Sequence, residues 1–202
     1  MGKFLLKPGR SPMSIITTTS ESDATGRVAE FYADDTEDLG YVPEHTKVMA
    51  VNPEAYAAWE SLITAIARPM DKRRYELITL AAALGTRSRH CRLAHGRKSL
   101  RYFDEETLVL IASDYRAAGL SPAEVAMMEF AEKVGVDASS MTDDDSLRLR
   151  EAGFTDREIV DIVLAAAARN YFSRAIQALA VDVDVPPGMS ARLRDALVDP
   201  IR

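Results

Sequence analysis

The sequence predicts an all-α protein built as one helical bundle. Three observations carry that expectation: apolar residues recur at threes and fours, capping residues open the segments while glycines close them, and period-two alternation is scarce. Residues 1–22, with "SIITTTSESDATG", mix Gly, Pro, Ser and Thr without helical pattern and read as an N-terminal arm able to lie across another subunit. Residues 23–187 read as the helical domain. Its first helix, "DATGRVAEFYADDTEDLG", ends near Gly40. In "NPEAYAAWESLITAIARP", Asn52 is the N-cap and Pro53 the first helical residue, and Tyr56, Trp59, Ile63 and Ile66 mark one buried stripe. "DKRRYELITLAAALG" is a third helix stopped at Gly85, and "SRHCRLAHGRKSLRY" a fourth after a break of very few residues.

"DEETLVLIASDYRAAG" follows and is stopped by Gly119. Ser121 and Glu124 form a capping box around Pro122 at the head of "SPAEVAMMEFAEKVG". After the short helix "TDDDSLRLREAG", Thr155 and Glu158 form a second box and open the longest helix, "TDREIVDIVLAAAARNYFSRAIQALAV". "PPGMS" closes the domain, and residues 188–202, with "ARLRDALVDP", read as an exposed amphipathic C-terminal tail. "ITLAAA" and "IVLAAA" echo one another inside two helices, the pattern a duplicated helical hairpin would leave. The period is too long and the copies too few for a solenoid.

At 202 residues the chain is long enough to bury a substantial core. Its net charge of -6 leaves no basic stripe to neutralise phosphates, which argues against nucleic acid as a partner. "IVLAAAA" is flanked by charge within a turn or so, far short of a membrane span. "MGKFLLKPGRSPMS" lacks the apolar stretch of a secretory signal. A single cysteine excludes an intrachain disulfide and fits a reducing, cytoplasmic location.

That cysteine lies in "SRHCRLAH" with two of the three histidines. Cys91 and His95 are four apart and share a helix face, Ser88 extends that face toward the helix start, and His90 projects about 100° away. The short turn at Gly85 and Thr86 lets Glu76, on the preceding helix, approach Cys91 and His95. Such a set permits thiol redox chemistry. A thiolate attacks a peroxide oxygen, a helix N-terminus favours negative charge, a neighbouring histidine takes the proton, and a carboxylate orients that histidine. The product is a sulfenic acid on Cys91. The plainer reading of each residue stands beside this one: a packed cysteine, a satisfied histidine, and a solvated Glu76 paired with Lys72 or Arg73. A metal held by His90, Cys91 and His95 is disfavoured, because the adjacent pair points to different faces and no fourth ligand is evident. No cofactor is called for.

The run from Glu76 to His95 resembles the alkylhydroperoxidase D-like group of the carboxymuconolactone decarboxylase family. The shared motif is a glutamate, eleven residues, Cys-x-x-Cys, three residues and a histidine. Glu76 stands at the glutamate, Cys91 at the second cysteine and His95 at the closing histidine, and His90 matches a histidine often found before that cysteine. "LGYVPEHTKVMAVNPEAYAAWESL", "LSPAEVAMMEFAEKV" and "LREAGFTDREIVDIVLAAAARNYFSR" resemble segments of the peroxidase-related branch, so the likeness spans roughly residues 25–187. It implies an alkylhydroperoxidase D-like helical bundle and a homo-oligomer, trimer or hexamer. It also implies Cys91 as nucleophile, His95 as base, Glu76 as orienting or relay carboxylate and His90 as auxiliary proton carrier.

Ser88 occupies the place of the family's first cysteine, which in dithiol members resolves the oxidised second one as a disulfide. Three readings follow. The first is a one-cysteine, peroxidase-like antioxidant that reduces hydroperoxides and is cleared by an external thiol or a reductant protein. The second is a proton-transfer enzyme acting on a small organic acid, as decarboxylase relatives need no cysteine. The third is a catalytically degenerate, oligomeric binding or redox-sensing module. Ser88 reads either as a helix cap or as a hydrogen-bond donor to the sulfur. Arg87, Arg89 and Arg92 flank the site and suit a carboxylate substrate, a thiolate or intersubunit ion pairs. His45, in the loop after "YVPE", reads as structural or as a subunit contact, and Asn170 and Arg174 as candidate pocket polar groups.

Overall fold

The computed structural model describes residues 15–201, and the first 14 residues of the expected arm lie outside that range. Among the described residues there are ten α-helices and no strand. They are α1 Gly26–Leu39, α2 Glu44–Met49, α3 Pro53–Ala67, α4 Lys72–Gly85, α5 Arg89–Ser99, α6 Glu105–Asp114, α7 Pro122–Asp137, α8 Asp143–Glu151, α9 Asp156–Ala178 and α10 Ala191–Val198. None is long and apolar enough to cross a membrane.

The anticipated caps form. The Asn52 side chain accepts from Ala55 N–H with Pro53 at the first helical position, and both the Ser121/Glu124 and Thr155/Glu158 boxes close. Gly40 caps α1 with φ of 82°, the left-handed region open to glycine, whereas α6 ends already at Asp114 and Gly119, with φ of 76°, follows the short 3-10 turn Tyr115–Ala117 that extends it. The described part of the arm lies against its own chain, where Tyr32 Oη donates to the Thr19 carbonyl and Lys47 pairs with Glu21.

Helix α4 is the centre of the bundle. Tyr75 to Ala83 are all buried, so it packs on every side, chiefly against α7, α5 and α9. The segments "ITLAAA" and "IVLAAA" lie on α4 and α9, which pack together. Helix α4 ends at Gly85 as expected, but Gly85 is not a left-handed cap. It is the last residue of α4, and a Cβ there would sit 2.3 Å from the Glu132 carbonyl oxygen, so its glycine is explained by the close crossing with α7. The chain turns two residues later, at Arg87, with φ of 55°. Gln177 of α9 donates to the carbonyls of Thr86 and Arg87 and clamps this turn, which fixes where α5 begins.

The C-terminal segment is amphipathic, but it is not an exposed tail. Leu193 and Leu197 of α10 are 0% exposed and join Leu80, Leu93, Leu108 and Ala112 in a second apolar cluster under α5 and α6. Gly96 admits this helix, since a Cβ there would lie 2.4 Å from Leu197 Cδ1.

Candidate functional site

The other side of α5 borders a cavity of about 580 Å3. Cys91, His95, Glu76 and His90 all line it, as do His45 from α2 and Arg169 from α9. Trp59 of α3 and Phe172 of α9, stacked at 5.1 Å between ring centroids, form an aromatic wall. Cys91 is in the first turn of α5 and is 2% exposed. Ser88 caps that turn, its Oγ accepting from the Cys91 N–H at 3.4 Å, so of its two readings the cap is the one formed.

The sulfur meets donors from α9. Ser173 Oγ donates to Sγ at 3.3 Å and Arg169 Nη1 at 3.7 Å. Burial acts against the Arg169 charge, but the neighbouring Cys91 and Tyr75 outweigh it and raise the guanidinium pKa. A permanent cation therefore stands beside the sulfur. Its buried Nε–H has no hydrogen-bond acceptor.

His95 Nδ1 lies 2.7 Å from Glu76 Oε2. Burial, then the Arg169 charge, pushes His95 down to about 4, against the opposing pull of Glu76. Burial opposes the Glu76 charge, but the His95 partner and the positive charges of Lys98 and Arg169 hold its carboxyl below the usual range. Near neutral pH the pair is thus a carboxylate and a neutral imidazole. A carboxylate only accepts, so Nδ1 carries the hydrogen and Nε2 is left with a free lone pair. His90 is also held neutral by burial, and its Nε2 donates at 2.6 Å to the carbonyl of Asp182, in the extended segment after α9. That bond ties α5 to this segment.

Several side chains sit elsewhere than the sequence suggested. Arg92 is 1% exposed and turned away from the cavity, donating to the carbonyls of Ala112, Ala196 and Leu197. Asn170 donates to Val134 and Ala166 carbonyls and Arg174 to that of Gly135, so both bind α9 to its surroundings instead of facing the sulfur. Arg169 and Ser173, one position earlier in each case, take that place. Their signal was in the sequence: 162, 166, 169, 173 and 176 continue the buried stripe of α9. His45 lies on a short helix and lines the cavity, with its ring 5.6 Å from that of Phe172. Among the described residues no cluster of His, Cys, Asp and Glu is placed to hold a metal ion.

No protein-family model matches the sequence, and no curated protein does. Solved structures do. An uncharacterised peroxidase-related protein from Ralstonia eutropha JMP134, described as an alkylhydroperoxidase AhpD core, superposes with a TM-score of 0.77 at 22% identity, over 87% of this chain and 94% of its own. The fold is AhpD-like. A second peroxidase-related protein, from Silicibacter sp. TM1040, matches with a TM-score of 0.70 at 25% identity, over 77% of this chain and 84% of its own. The debrominase Bmp8, in complex with 2,3,4-tribromopyrrole, matches with a TM-score of 0.76 at 16% identity, over 96% of this chain and all of its own. The AhpD-like fold therefore carries more than one chemistry.

Proposed function

We propose that the protein is a one-cysteine, thiol-dependent peroxidase of the AhpD-like group. The observation that carries this reading is the setting of Cys91. Its sulfur borders a cavity, accepts hydrogen bonds from Arg169 and Ser173, and shares that cavity with a buried Glu76–His95 pair. Nucleophilic sulfur needs a counter-ion for its anion and a base for its proton, roles that Arg169 beside the sulfur and a neutral His95 lining the same cavity suit.

In the proposed cycle His95 Nε2 accepts the Cys91 thiol proton, Glu76 stabilises the imidazolium that forms, and Arg169 and Ser173 hold the thiolate. The sulfur attacks one oxygen of the hydroperoxide, the O–O bond breaks, and two electrons pass from sulfur to peroxide. The alcohol leaves with the proton returned by His95, and Cys91 is left as a sulfenic acid. Ser88 cannot resolve it, so an external thiol completes turnover. Self-association belongs to the same proposal. The outer face of α9 exposes Val160, Leu164 and Tyr171 at spacings of four and seven, the pattern of a helix that meets another copy.

Stopped-flow peroxide consumption tests the reading. Cys91→Ser is expected to reduce it to background, and Glu76→Gln or His95→Asn to slow it about 100-fold. A wild-type sulfur no faster than free cysteine at neutral pH overturns the proposal. Turnover of an organic acid that survives Cys91→Ser but not Glu76→Gln would establish the proton-transfer alternative, since the Glu76–His95 pair needs no sulfur.

A further inference from the structure

The cavity carries opposite charges on opposing elements. Lys98 lies on α5 two turns beyond Cys91, about 10 Å along the helix axis, and no carboxylate among the described residues comes within ion-pair distance of it. Asp35 of α1 and Glu60 of α3 line the same cavity, also without an ion-pair partner, and Asp35 Oδ2 is buried with no hydrogen-bond donor. Burial raises the pKa of both carboxyls: at Asp35 a Thr46 hydrogen bond and the Lys98 charge oppose it while Asp38 and Asp34 add to it, and at Glu60 Asp35 and Asp34 add to it against Arg27. Beside the sulfur, Arg169 is 6% exposed, lines the cavity and keeps a buried Nε–H without an acceptor. Cys91 is 2% exposed on the cavity wall, a setting that favours a small thiol over one fixed on the surface of a folded protein.

We propose that the reductant completing the Cys91 cycle is a small zwitterionic thiol, of amino-acid to short-peptide size, whose carboxylate is held by Lys98 and Arg169 and whose ammonium is held by Asp35 and Glu60. The inference rests on the one-cysteine peroxidase reading for its chemistry and on the cavity charges for its specificity. The first thiolate attacks the sulfenic sulfur, the S–S bond forms, and the S–O bond breaks, with oxygen leaving as water. A second thiol attacks the mixed disulfide, releases a small disulfide and returns Cys91. The two thiols together give up the two electrons that the hydroperoxide gained.

Two measurements test it. Trp59 is the only tryptophan and lines the cavity, so its fluorescence reports occupancy without any peroxide chemistry. S-methylcysteine should quench it saturably, at concentrations about tenfold or more below those needed with 3-(methylthio)propionate or 2-(methylthio)ethylamine. Equal midpoints, or no saturation, overturn the proposal. The sulfenate formed with one equivalent of peroxide and verified by dimedone trapping is then reduced with cysteine, cysteamine, 3-mercaptopropionate, 2-mercaptoethanol or a thioredoxin-type protein. Corrected for thiolate fraction, cysteine should be about tenfold or more faster than each of the others. Lys98→Gln should erase its advantage over cysteamine, and Glu60→Gln its advantage over 3-mercaptopropionate. Rates that track thiolate fraction alone, or a faster protein thiol, overturn it. A sulfenate that never forms, with S-methylcysteine still preferred, refutes the peroxidase reading and leaves the zwitterion site standing.

Discussion

On the side of α5 that faces α6 and α10, the Arg92 guanidinium donates to three main-chain carbonyls; on the cavity side, Arg169 reaches a sulfur and leaves Nε unpartnered. Both side chains are buried charges, and neither has a carboxylate within ion-pair distance among the described residues. Arg92 is satisfied by the last turns of two helices, where carbonyls lack partners and the helix dipole is negative. Burial draws its pKa down to about 10, which still leaves it charged at neutral pH. It is a structural bolt joining α5, α6 and α10. Arg169 is held beside a reactive atom with donor capacity to spare, an arrangement that folding alone does not favour.

The largest expected effect separates these two arginines. Arg92→Met keeps much of the volume but leaves two buried carbonyls and one part-buried carbonyl without their donor, and should lower unfolding stability by about 3 kcal/mol. Arg169→Met removes a charge that is poorly compensated at rest, so its stability change should be under about 2 kcal/mol, while the rate of Cys91 with peroxide falls about 100-fold. Urea unfolding and stopped-flow consumption, run on both variants, check the contrast. If Arg169→Met is the more destabilising and reacts normally, the distinction between bolt and counter-ion fails.

Acid should expose the same asymmetry. His95 titrates near 4 in the folded chain and near 6.5 when unfolded, so between those values the unfolded state binds more protons and stability rises with pH. Lowering the pH from 7 to 4 should therefore remove up to about 3 kcal/mol through His95 alone. His90 and His45, both lowered by burial in the same cavity, act in the same direction. Arg92, on the α10 side, stays charged throughout that range and adds nothing to the slope. Urea midpoints at pH 7 and pH 5 measure the slope, and His95→Gln should flatten it. An unchanged slope in that variant would show that His95 is not the buried neutral base.

The helical bundle was legible because its signals are local. Caps at Asn52, Ser121 and Thr155 are satisfied within their own first turns, and the stripes of α3 and α9 repeat at helix period. What failed to show was set by partners distant in sequence. Gly85 does end α4, as a glycine suggests, yet α7 is what requires the glycine, and the left-handed turn falls on Arg87 under the clamp of Gln177. The last helix has polar residues enough to pass for a tail, and its docking is set by partners far in sequence: the opening at Gly96, the cluster that takes Leu193 and Leu197, and Arg92 on its last carbonyls. Short α2 follows a proline and has too few residues for a periodic pattern. At the site, spacing put Cys91 and His95 on one face and brought Glu76 near, but "ARNYFSR" offers two pairs of residues four apart. Choosing Arg169 and Ser173 over Asn170 and Arg174 required reading the whole buried stripe of α9.

The smallest expected energetic effect belongs to Ser88→Cys, and it tests why α5 starts as it does. Ser88 is 0% exposed, and its Oγ caps the N–H of the residue carrying the reactive sulfur. A thiol caps less well than a hydroxyl, so the substitution should lower stability by about 1 kcal/mol. Its chemical effect should be qualitative. With a second thiol three residues before Cys91, one peroxide equivalent should consume two thiols and leave an internal disulfide, and the dimedone-trapped adduct of the wild type should disappear. The external thiol would then reduce a disulfide, and the preference among small thiols should shift accordingly. Persistence of the adduct in Ser88→Cys would mean that the clamp on the Thr86–Ser88 turn holds the two sulfurs apart. Loss of the second thiol would then be built into the backbone of this site as well as into its sequence.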